Sequence, residues 1–124
     1  MVQELKLYEA EQRFMEIVWD NEPVHSRELA ALCEKQLGWK RSTTYTVLKK
    51  LCTKRFLLNE AAIVSSLVTR EMVQQYESHT VLEKSFNGSL PRFIASFMSG
   101  KKLSGKEAEE LKCLIDQYKE KNDE

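Results

Sequence analysis

Apolar residues recur at spacings of three and four along almost the whole chain, and the residues able to interrupt a helix are few enough to name. Four glycines and two prolines stand in 124 residues. A chain so patterned folds as a succession of helices whose joints are set by those breakers. Leu7, Ala10, Phe14, Ile17 and Val18, widened by Met15 and Trp19, make the apolar stripe of a first helix. Asn21-Glu22-Pro23 ends it, and Val24 begins a short extended piece. A second helix runs from His25 or Ser26 to about Gly38, with Leu29, Ala30, Leu32, Cys33 and Leu37 on its apolar face and Gly38 as the stop.

The next stretch is unusual. Ser42 reads as the N-cap of a third helix reaching about Lys54. Thr44, Val47, Leu48 and Leu51 share one face, while Thr43, Tyr45, Thr46, Lys49 and Lys50 spread over the other. Threonines in a first turn lower helix propensity, yet they leave short polar groups pointing outward. Phe56-Leu57-Leu58-Asn59 and Ala62 to Leu67 then read as two short strands, with Glu60-Ala61 at the turn. From Thr69 the pattern is helical again. Thr69 caps a helix bearing Met72, Val73, Tyr76, Leu82 and Phe86, ended by Asn87-Gly88. Pro91 suits the first turn of a short helix stopped near Gly100, and Ser104 to Glu107 is a capping box for the last.

Three helices followed by a hairpin in residues 1–68 is the order of a winged helix-turn-helix, and residues 69–124 form a helical appendage. The fold class is therefore mainly α with a small β-hairpin (α+β): a DNA-binding winged domain plus a C-terminal helical dimerisation region. The formal net charge is zero, which hides its distribution. Between Lys40 and Arg55 stand Lys40, Arg41, Lys49, Lys50, Lys54 and Arg55, with no acid. Such a patch attracts phosphates even on a neutral protein. With the third helix in the major groove, Ser42, Thr43, Tyr45 and Thr46 are placed to read base edges, and Lys40, Arg41, Lys49, Lys50 and Lys54 to reach phosphates. The Glu60-Ala61-Ala62 wing tip carries no basic residue, so few phosphate contacts are expected from it. Phe86, Phe93, Ile94, Phe97, Met98, Leu111, Leu114 and Ile115 need a partner surface. A two-fold homodimer supplies one and presents two recognition helices to a palindromic operator on double-stranded DNA.

The chain resembles the penicillinase-repressor family of bacterial dimeric repressors. Glu11-x-x-Phe-Met-Glu-Ile-Val-Trp-Asp20, Glu28-Leu29, Trp39-Lys-Arg-Ser-Thr-Thr-Tyr-Thr-Val-Leu-Lys-Lys-Leu51, Leu67-Val-Thr-Arg-Glu71, Phe86-x-Gly-Ser-Leu-Pro-x-Phe93 and Leu103-Ser-x-x-Glu107-x-x-Glu-Leu111 carry the likeness. The resemblance implies repression by promoter occupancy until a signal removes the protein. In β-lactam-responsive members a membrane sensor protease triggers, indirectly, cleavage of an Asn-Phe bond in the dimerisation region. The similar position here is Ser96-Phe97, which departs from that pattern at its first residue. The copper-responsive branch carries paired Cys-x-Cys motifs at its C-terminus, whereas Cys113 stands alone here, too few soft ligands for a cuprous site.

Other classes fare worse. No Gly-rich phosphate loop, nucleophile elbow or pair of catalytic carboxylates can be assembled, so no enzyme and no cofactor are expected. His25 and His79 lack partners at ligand spacing, so no metal is expected. Cys33 and Cys52 fall on apolar helix faces as packing residues. Free thiols, the lack of an apolar leader and the lack of a run of about 20 apolar residues suit a cytoplasmic protein that inserts in no membrane. The competing functions are a winged-helix module for protein–protein contact and a small-molecule-sensing repressor with a pocket at the dimer interface.

Overall fold

The computed structural model describes residues 4–119. The chain divides after Val81 into two compact units, each taken by itself below. The first contains α1 (Glu9–Asn21), β1 (Val24–His25), α2 (Ser26–Leu37), α3 (Arg41–Thr53), β2 (Leu57–Glu60), β3 (Ile63–Ser66) and most of α4 (Arg70–Phe86). The second holds the end of α4, α5 (Leu90–Met98) and α6 (Gly105–Tyr118). This is the expected α+β winged helix with a helical C-terminal part.

In the first unit the stripe of α1 buries Phe14, Met15, Ile17 and Val18 against Leu29 and Cys33 of α2, Leu48 and Leu51 of α3, and Phe56, Leu57 and Val64 of the wing. At about 1.5–3 kcal/mol for each large side chain taken from water, this cluster is the main source of stability. Trp39, in the turn between α2 and α3, stacks on Phe14 at 6.0 Å between ring centroids. Gly38 makes that turn possible: its φ of 70° is left-handed, and its N–H closes on the Glu34 carbonyl at 3.0 Å. His25 caps α2, its Nδ1 accepting the Arg27 N–H at 3.1 Å.

Several expectations shift. The cap of α3 is Lys40, not Ser42, and no side chain closes it; Ser42 lies one residue inside the helix. Helix α1 starts at Glu9, with Tyr8 at the cap position where a Ser or Thr would suit. Instead of a Tyr8 side-chain cap, the Tyr8 N–H donates to the Glu11 carboxylate at 3.0 Å. The wing turns at Ala61-Ala62, one residue later than expected, with both alanines at positive φ (52° and 66°). The hairpin also gains a neighbour, because the extended piece at Val24 pairs with β3 to give the order β1-β3-β2, with Val24 opposite Val64 and Asn59 opposite Val64 on the other side.

The expected division after residue 68 falls at the start of α4, whereas the compact unit runs on to Val81. Thr69 caps α4 as expected, its hydroxyl accepting the Met72 N–H at 3.0 Å. Arg70 then reaches both Glu16 and Asp20 on α1 at 2.8 Å, and its guanidinium stands 5.2 Å from the Trp19 ring centre. The Trp19 indole donates to the Val68 carbonyl at 3.0 Å, and Val73 is buried in the core. The first half of α4 is thus fastened to α1.

Candidate nucleic-acid interface

Helix α3 divides cleanly into two faces. Thr44, Leu48 and Leu51 are buried, with Val47 half-buried, and they hold the helix on the core. Ser42, Thr43, Tyr45 and Thr46 are all exposed, as are Lys40, Arg41, Lys49 and Lys50. The packing that buries Thr44 and Leu48 fixes which side of α3 faces outward, so the hydroxyl-rich first turns form one continuous surface with Lys40 and Arg41 at their lip. Inside, burial pushes the Cys33 thiol up, partly offset by the Thr44 hydroxyl. Burial likewise raises Cys52, which is half-buried. Both behave as packing residues, while Cys113 is exposed on α6.

The far end of α3 is different from what the sequence suggests. Glu11 is only 4% exposed, and the Lys54 ammonium meets its two oxygens at 3.2 and 3.3 Å, with Lys50 at 3.7 Å. Burial would push the Glu11 carboxyl up, but the Tyr8 N–H and the Lys54 and Lys50 charges together hold it below the usual carboxylate range. The Tyr8 ring sits among the same cations, 5.6 Å from Lys54 and 5.9 Å from Lys50. The window that is free of acids in sequence is therefore not free of them in space. Lys54 is drawn back onto α1, and Lys50 shares the same carboxylate. The one local signal was a Glu three residues after the α1 cap, which says nothing about a partner forty residues on.

In the second unit, α5 follows the Ser89 cap, whose hydroxyl accepts the Arg92 N–H at 3.2 Å. Ser104 caps α6 by accepting from the Glu107 N–H at 3.1 Å. Phe93 meets Phe86 edge-on at 5.3 Å and stacks on Phe97 at 6.1 Å. Phe86, Phe93, Met98 and Leu111 are half-buried. Ile94, Phe97, Leu114 and Ile115 are exposed, Phe97 by 53% and Ile115 by 64%. No residue of 82–119 is buried. Ser96 and Phe97 lie inside α5, near its C-terminal end.

The sequence profile of the penicillinase repressors matches residues 7–117, spanning the winged unit and the helices beyond it. The chain belongs to the penicillinase-repressor family. A penicillinase repressor of Bacillus licheniformis is 23% identical over 123 residues, covering 96% of each chain. One from Staphylococcus aureus is 24% identical over 116 residues, 90% of this chain and 92% of its own. Penicillinase repressors are transcriptional regulators, and this member is a regulator rather than an enzyme. Among the described residues no group of three or more His, Cys, Asp or Glu side chains could hold a metal ion. No helix among them is long and apolar enough to cross a membrane.

Proposed function

We propose that the protein is a homodimeric transcriptional repressor that grips a palindromic operator, each protomer laying α3 in the major groove. The observation that carries this reading is the outward face of α3, where Ser42, Thr43, Tyr45 and Thr46 are exposed beside Lys40, Arg41 and Lys49 while Thr44 and Leu48 anchor the opposite side. Hydroxyls donate to and accept from base edges, threonine methyl groups meet thymine methyls, and the flanking cations meet phosphates. Lys50 and Lys54 support this arrangement through Glu11 and contribute less to the phosphate grip than their number suggests. The names of the two relatives make a penicillinase promoter the first duplex to try.

Dimerisation is assigned to the apolar residues of α5 and α6. Ile94, Phe97, Leu114 and Ile115 present large side chains to water, and a second copy of the same surface covers them by two-fold pairing. Release by proteolysis at Ser96-Phe97 would require α5 to unwind at that bond, because a helical peptide is not extended across a protease cleft.

Selection of bound duplexes from a random pool tests the reading. Thr46→Ala or Tyr45→Ala is expected to change the selected sequence at one base pair per half-site, a loss of about 1–3 kcal/mol at that pair. A selected sequence identical to that of the unaltered protein, or no enrichment at all, would overturn it.

A further inference from the structure

We propose that Arg55 and Lys49, on the rim of an open groove between α3 and β2, form a phosphodiester-binding subsite that holds the backbone of the duplex beside the base-reading start of α3. This rests on the DNA reading above.

The groove has a volume of about 540 Å³. Tyr45, Lys49 and Thr53 line it at four-residue intervals along α3, Asn59 comes from β2, and Arg55 stands where helix passes into wing. No carboxylate lines it. Leucines from α3, β2 and the end of the wing also line it. The Thr53 hydroxyl is already committed to the Lys49 carbonyl at 3.0 Å, so the strong donors left among the lining side chains belong to Tyr45, Asn59 and the two cations. Lys50 and Lys54 meet Glu11, whereas neither Lys49 nor Arg55 has an acid within ion-pair distance among the described residues. A guanidinium, an ammonium and neutral donors without an acid recognise an anion. A groove this large and open to solvent suits a continuous phosphate backbone better than a small enclosed ligand.

The backbone at Arg55 supplies the second observation. Helix α3 ends in a Schellman closure: the Phe56 N–H bonds the Leu51 carbonyl at 2.9 Å and the Arg55 N–H bonds the Cys52 carbonyl at 3.1 Å. The residue between helix and wing must then be left-handed, and Arg55 has φ 66°. Glycine suits that position best, since any Cβ is strained there. An arginine held there by two backbone bonds and the buried Phe56 carries its charge from a fixed point on the rim.

Because glycine relieves that strain, folding and binding can be separated. Anisotropy titrations of the full chain with a mixed-sequence duplex of about 30 base pairs, over a range of salt, compare Arg55→Gly, Arg55→Gln and Lys49→Ala with the unaltered protein. Each variant is expected to bind about tenfold more weakly at moderate salt. The slope of log affinity against log salt should fall by about one in each. Arg55→Gly should keep or raise the thermal midpoint. If Lys49→Ala weakens binding and both Arg55 variants do not, the subsite is refuted and the DNA reading stands. If the unaltered protein binds duplex and none of the three changes matters, the subsite is likewise refuted; if the unaltered protein binds no duplex, the DNA reading itself fails. If inorganic phosphate displaces the duplex far better than chloride at equal ionic strength, and only while Arg55 is present, the groove is a small-anion site and the backbone assignment is overturned.

Discussion

The two units of this chain draw on similar amphipathic helices and reach opposite ends. In the first, α1 lies among α2, α3, the wing and α4, so Phe14, Met15 and Val18 are wholly covered. In the second, α5 has the most apolar face of any helix among the described residues, yet none of its residues is buried. Amphipathicity tells that a helix has a face to cover and is silent on what covers it. The winged unit closes on itself because three helices and a sheet surround one stripe, whereas α5, α6 and the end of α4 leave no described residue of their unit buried. Stability in the first unit is a property of the chain; in the second, on the proposed reading, it depends on a second copy.

That contrast can be broken first in the core. Phe14→Ala removes a fully covered ring and should lower unfolding free energy by about 3–5 kcal/mol in urea titrations. Ile115→Ala should move the same curve by less than about 0.5 kcal/mol at protein concentrations too low for association. A large effect at Ile115 in the monomer would mean that the second unit has a core of its own. Next in size, Phe97→Asp places a charge where a partner surface is proposed. The dimer dissociation constant should rise about 100-fold, or about 2.7 kcal/mol, and sedimentation should show monomers at micromolar concentration. An intact dimer would show that the interface lies elsewhere.

Within the closed unit, Glu11→Gln keeps an acceptor for the Tyr8 N–H but removes the charge facing Lys54 and Lys50. A loss of about 1–2 kcal/mol is expected. Because the Glu11 carboxyl is held below its ordinary value of 4.5, its contribution is complete above that pH and is lost as pH falls further, through the depressed folded-state value. The Gln variant should therefore lose less stability than the unaltered protein when both are carried from neutral pH into that acid range. Equal acid sensitivity would remove Glu11 from the account. Smallest and opposite in sign, Ala61→Asn with Ala62→Gly fits the left-handed wing turn and should raise the thermal midpoint, by about 1 kcal/mol of stability. No rise would mean that the two alanines carry little strain.

Much of the winged unit was legible because its signals are local. Proline and glycine mark the ends of α1 and α2, and Thr44, Leu48 and Leu51 take their face from spacing alone. What the residues hid is non-local or conformational. Ser42 has the chemistry of a cap, but the turn after Gly38 puts Lys40 at that point. Ala61-Ala62 carries no turn signal, since alanine at positive φ is imposed by strand register and not by preference. Val73 reads as part of the appendage, and only the clamp of Arg70 on Glu16 and Asp20 brings it into the core. In the proposed interface the outward residues could be read from periodicity, whereas the pairing of Lys54 with Glu11 and the backbone setting of Arg55 could not.

The carboxylate tucked beneath Lys50 and Lys54 makes α3 electrically lopsided. On its flank toward α1 the single Glu11 carboxylate offsets one of the two lysine charges, whereas its flank toward the wing keeps both Lys49 and Arg55. A polyanion drifting in from solution is pulled toward that second flank before anything touches. The torque aligns the incoming rod while it is still hydrated, and it fades as added electrolyte shortens the reach of the field.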